Sequence, residues 1–150
     1  MSDPRADITN LVFAYAQRID DGDFEGVAAL FAEAEITAEG TPLRCRGYDQ
    51  VLALYTGGTR KYSDGSPRTK HVTTNLMIDV DEQRGQATCR SYFTVLQAVT
   101  GGLALQPIIA GRYHDAFHHS LDRWRFSARH MIVDLVGDLG HHLLDAYRVR

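Results

Sequence analysis

From Ile8 onward, apolar side chains fall at Ile8, Leu11, Val12, Tyr15, Ala16 and Ile19. Spacings of three and four place them on one stripe of an α-helix, which ends near Asp20. The run Asp20-Asp21-Gly22-Asp23 breaks the chain there. Asp23 is suited to cap a second, short helix over residues 24–32 that turns Phe24, Val27, Ala28 and Phe31 inward, closing a helical hairpin. An extended piece over residues 35–46, interrupted at Thr41-Pro42, leads to a third helix over residues 48–55 that Gly57-Gly58 stops. The loop 57–67 is polar and reads as mobile.

After residue 67 the period changes. Long extended segments are separated by turn chemistry at residues 81–85, 100–102 and 120–123, which predicts four strands joined by hairpins. A dozen residues per strand would reach roughly 40 Å if flat, so in a small domain the sheet has to curl. Helices first and a coiled antiparallel sheet second predict an α+β fold: a cone-shaped, strongly curved sheet with three N-terminal helices covering one face. Such a cone encloses an apolar cavity with a few convergent polar groups, the usual form of a small-ligand site. The chain reads as one domain over residues 1–150, with its core at about 5–138 and a tail from 139 to 150. No internal repeat is present; the paired histidines at 118–119 and 141–142 are the compositional oddities.

Composition narrows the partners. With 150 residues, 44% of them apolar, the chain can close one core, and its formal charge of −3 comes without a basic stripe for nucleic acid. A small hydrophobic, aromatic or cyclic compound is the expected ligand. Cys45 and Cys89 lie far apart, no leader-like segment precedes the first helix, and no apolar run approaches the roughly 20 residues of a membrane span. The expectation is a cytoplasmic protein with reduced thiols and no membrane contact. Apolar residues on both faces of 103–119 and 123–137 suggest an exposed sheet face and a homo-oligomer, dimer or trimer.

Two strands carry the candidate chemistry. In Arg68-Thr69-Lys70-His71-Val72-Thr73-Thr74-Asn75-Leu76-Met77-Ile78-Asp79-Val80, strict alternation puts His71 on one side with Thr69, Thr73, Asn75, Met77 and Asp79. That row is either a solvent face or a pocket wall. In Leu105, Pro107, Ile109, Gly111, Tyr113, Asp115 and Phe117, every second residue is apolar or aromatic except Asp115. A buried carboxylate needs a partner, either an imidazole or one of Arg112, Arg125 and Arg129. Asp20 stands at the negative end of the first helix, a local rule broken where function often lies. Tyr15 is on that helix's apolar stripe. Tyr48, Tyr55, Tyr92 and Tyr113 are further hydroxyl donors, and Arg129 is either a solvated charge or a cavity cation. His114, His118 and His119 are spread too widely along a strand to share one metal ion, and no zinc, nucleotide or serine-hydrolase motif occurs. No metal site or cofactor is implied.

The opening "ITNLVFAYAQRIDDGDFEGVAALFA", the strand "RTKHVTTNLMID", and "GRYHDAFHH" with "DRWRFSARHMIVD" resemble the SnoaL-like branch of the nuclear transport factor two superfamily, near scytalone dehydratase-like proteins. The resemblance spans roughly residues 5–138. It implies a cavity with His71 as general base, Asp115 as its hydrogen-bond partner, Asp20 as second acid or base at the cavity mouth, and Tyr15 as donor to the substrate. Asn75, Tyr48, Tyr92, Tyr113, Phe117 and Arg129 complete the expected substrate-binding set. The expected activity is a cofactor-independent dehydratase or isomerase acting on a cyclic or aromatic carbonyl compound. Residues 94–97 lack the second strand histidine of scytalone dehydratase, so scytalone itself is not the expected substrate. Two alternatives remain at this point: a ligand-binding module or subunit using the same cavity, and an epoxide hydrolase-like site with Asp20, Arg129 and Asp115 around a water.

Overall fold

The computed structural model describes residues 2–144. The first helix, α1 (Pro4–Asp20), begins at Asp3, whose carboxylate accepts from the Arg5 N–H, and buries Ile8, Val12, Tyr15, Ala16 and Ile19. The short α2 (Phe24–Leu30) is capped by Asp23 through the Gly26 N–H, as the sequence implies. Between them Gly22 has φ +73°, and a Cβ there would sit 2.0 Å from the Gly65 carbonyl oxygen. Glycine thus lets the helical turn and the loop 62–66 close on each other. Two short strands, β1 (Glu35–Ala38) and β2 (Arg44–Arg46), precede α3 (Gly47–Gly58).

Four long strands follow: β3 (Thr69–Asp81), β4 (Gln86–Val99), β5 (Leu103–Ser120) and β6 (Arg123–Val136). The order across the single sheet is β2-β1-β6-β5-β4-β3. The expected all-antiparallel sheet of four strands is corrected in one respect: β1 lies parallel to β6, from Glu35 opposite Ala128 to Ala38 opposite Met131, so the six-stranded sheet is mixed. The parallel register seats Ile36, fully buried, beside the inward end of β6. Helix α1 packs on β3 and β6. The three helices and the sheet share one core that includes Phe31, Phe93, Phe117, Trp124 and Phe126. Among the described residues no helix is long and apolar enough to cross a membrane.

The long strands do not keep one parity. Register slips at Thr74/Met77 in β3, opposite Ile108 in β5, and at Ser127 in β6, where Ala116 faces Ala128 but Phe117 faces Phe126. A β-bulge adds one residue to one strand, bends it, and moves every later side chain to the other face. Two further shifts lie at Gln97/Val99 and at Ala110/Gly111, and those in β3 and at Ser127 set which candidate residues reach the interior.

Candidate functional site

His71 does face inward, but its partner is Asp20. The last residue of α1 turns its carboxylate onto the start of β3 and accepts three hydrogen bonds there: from His71 Nδ1 at 2.6 Å, from the His71 backbone N–H at 2.7 Å and from Thr69 Oγ1 at 2.8 Å. Both side chains are over nine-tenths buried. The unfavourable place of a carboxylate at a helix C-terminus is offset by these donors. An ionised carboxylate only accepts, so the hydrogen of this contact is on His71 Nδ1.

Asp115, expected beside His71, is elsewhere. The bulge at Ser127 turns Arg129 inward, and its Nε and Nη2 donate to the two Asp115 oxygens at 2.8 and 2.9 Å. Neither side chain is exposed at all. The arginine-paired alternative for Asp115 holds, and the His71–Asp115 contact does not form. Burial works against the charge on Arg129, but Asp115 prevails and pushes its pKa upward. The guanidinium lies 3.7 Å from the Tyr113 ring centre and 4.3 Å from that of Tyr15, between two aromatic faces. It bonds Asp115 and not Asp20, so the carboxylate–arginine–carboxylate cluster of the hydrolase alternative is not formed.

Above this buried pair is a cavity of about 160 Å³, lined by Tyr15, Ile19, Leu43, Leu54, Tyr55, Gly58, Thr59, His71, Met131, His142 and Leu143. Tyr15 and Tyr55 place their hydroxyls 2.9 Å apart. Two hydroxyls that share one hydrogen bond leave a second hydrogen, for which the Tyr113 hydroxyl beside Tyr15 and a ligand compete. Burial, then the neighbouring Tyr15, raises the Tyr55 pKa well above the usual phenol value, so this hydroxyl keeps its proton. A larger open groove of about 780 Å³, bordered by Gly22, Phe24, Arg60 and Lys61, contains no imidazole.

Several expected ligand contacts are corrected. Asn75 is exposed with φ +57° because it sits in the β3 bulge, which returns Leu76, Ile78 and Val80 to the interior in place of Asn75, Met77 and Asp79. Tyr48 opens α3 at 38% exposure, and Tyr92 lies on the outer sheet face at 53%. Tyr113 and Phe117 are inward but belong to the core: Tyr113 stacks on Phe93, and Phe117 packs on Phe126. Gly111 makes room for that stack, since a Cβ would come within 2.9 Å of the Phe93 ring. Sequence reasoning left out His142, which lies in the segment read as a tail; the doubled histidine at 141–142 was its only signal.

The SnoaL-like domain model matches residues 2–130, and the chain belongs to that family. No curated protein matches it. Solved structures agree on the fold. A nuclear transport factor two-like protein with a cystatin-like fold from Novosphingobium aromaticivorans is 20% identical, over 87% of this chain and 81% of that one, with a TM-score of 0.72. A candidate scytalone dehydratase from the same organism is 23% identical over 97% and 89%, TM-score 0.71. LinA is 22% identical over 91% and 89%, TM-score 0.70.

Proposed function

We propose that the protein is a cofactor-independent dehydratase or isomerase for a small cyclic carbonyl compound, with His71 as general base and Asp20 as the group that orients it. The observation that carries this reading is the 2.6 Å His71–Asp20 contact in the wall of an otherwise largely apolar cavity. Asp20 fixes the tautomer and stabilises the imidazolium that forms when Nε2 takes a proton. The electrons of the broken C–H bond move onto the carbonyl oxygen. A hydroxyl of the Tyr15–Tyr55 pair donates to that oxygen. From the enolate, the imidazolium returns its proton either to a departing β-hydroxyl, releasing water, or to another carbon, giving an isomer. Base and acid are the same ring, so the cycle closes without a co-reactant.

Size supports a single ring. An apolar cavity of about 150 Å³ admits benzene, and this one is of that order. The name of one similar structure, a candidate scytalone dehydratase, is consistent with this class of chemistry. The test is turnover of six-membered β-hydroxyketones and enones, such as 3-hydroxycyclohexanone, by the wild type, His71→Ala and Asp20→Asn. His71→Ala should lower the rate by about 10²–10⁴-fold. Asp20→Asn should lower it too, with the ring left unheld. Turnover that survives His71→Ala unchanged would remove the assignment.

A further inference from the structure

The segment that closes the cavity is pinned to the rest of the protein on all sides. Leu143 bridges Thr59, the Arg60 N–H donates to the His142 carbonyl at 2.8 Å, and the Leu144 N–H donates to Gly58 at 3.0 Å. The His141 carbonyl accepts from Tyr62 Oη and from the buried Gln97 Nε2. Gln97 donates also to the Pro67 carbonyl, tying the strap to β4 and to the approach to β3. Four hydrogen bonds thus hold the backbone on both sides of one side chain, that of His142.

That side chain is 8% exposed and lines the same cavity as His71, Tyr15 and Tyr55. Its Nδ1 is buried with no hydrogen-bond partner among the described residues. A buried imidazole nitrogen left without a partner is destabilising unless something bound supplies one. A packing role would be met by leucine or phenylalanine. What remains is an imidazole held by its backbone in the cavity wall, with no hydrogen-bond partner for its Nδ1 among the described residues.

We propose that His142 is a second substrate-contacting imidazole, donating an N–H hydrogen bond to the ligand oxygen on which charge builds as His71 removes the proton; this rests on the reading of His71 above. The titratable groups sharing its cavity are His71 from β3, Asp20 behind it at the end of α1, Tyr15 from α1 and Tyr55 from α3. Burial first, and then the His71 ring, lower the His142 pKa to about 4 against the opposing pull of Asp20. At neutral pH the ring is therefore uncharged. A neutral imidazole is a competent N–H donor to a developing enolate, and it does not compete with His71 for positive charge. It divides the work in the cavity: one ring accepts the proton and the other steadies the oxygen.

The probes are cyclohexanone and methylenecyclohexane, a pair of equal shape that differ in the carbonyl oxygen. Affinities are measured for the wild type, His142→Phe and His142→Gln, alongside α-proton exchange of cyclohexanone in D₂O. The wild type should prefer the ketone; His142→Phe should lose about two- to tenfold of that preference with little change for the hydrocarbon, and His142→Gln, which keeps an N–H, should retain part of it. In wild-type protein labelled with ¹⁵N-histidine, cyclohexanone should shift the His142 ring signal and methylenecyclohexane should not, a readout independent of whether the variants fold. An unchanged ketone preference in His142→Phe, or a His142 signal that responds to neither compound, overturns the proposal. Intact His71-dependent exchange beside such a result leaves the base in place, whereas absent exchange beside a His142-dependent preference removes the catalytic reading and keeps His142 as a ligand donor.

Discussion

Arg129 and Asp115 show how much one residue can demand of its neighbour. Both are fully buried, and each is compensated by the other through two short hydrogen bonds. Arg129→Met should leave Asp115 as an uncompensated charge and cost about 3–5 kcal/mol in urea unfolding. The double variant Arg129→Met/Asp115→Leu should recover most of that loss, because no lone charge then remains. His142 yields a pH prediction at the same scale. Its folded-state pKa of about 4 lies below the ordinary 6.5, so the unfolded chain takes up the proton first as pH falls. Its contribution to stability is complete above about pH 6.5 and is lost progressively down to about pH 4, an effect on the order of 3 kcal/mol. Unfolding of His142→Gln at pH 7 and pH 4.5 should show a drop smaller than that of the wild type by about 2 kcal/mol.

Elements show where a chain can be read and where it cannot. Helix α1, its break at Asp20–Asp23, the Asp23 cap and the turns between the long strands follow from local spacing and turn chemistry, and the structure has them where the sequence places them. The inward row of β4, from Ala87 through Cys89, Ser91, Phe93 and Val95 to Gln97, alternates without interruption. The other long strands do not, because each contains a bulge, and alternation assumes none. Carried past Asn75, it put the wrong half of β3 inside; carried past Ser127, it left Arg129 undecided. The approach of Asp20 to His71 spans 51 positions and depends on the packing of α1 against β3, which no local pattern encodes. Asn75 offers a direct test of the bulge. A β-branched side chain is strained at φ +57°, so Asn75→Val should cost about 1–2 kcal/mol, while Asn75→Gly should be tolerated, both read from thermal unfolding.

The molecule as a whole brings an imidazole from the first long strand, bonded from behind by a carboxylate of the first helix, and a second imidazole from the closing strap to one small cavity. Tyr15 lines that cavity and rests on the Arg129 guanidinium, which in turn lies against Tyr113 and pairs with Asp115. Enclosure on this scale should select by size: cyclohexanone should protect the protein against thermal unfolding, and a fused tricyclic ketone at the same concentration should not. In the proposed chemistry, elimination and isomerisation share a first step, the transfer of a ring α-proton to His71. The most direct measurement is therefore α-proton exchange of cyclohexanone in D₂O, followed by NMR, with wild type and His71→Ala side by side. Catalysed exchange that disappears with the imidazole is the predicted result; exchange at the same rate in both proteins, or none above buffer in the wild type, would contradict the account.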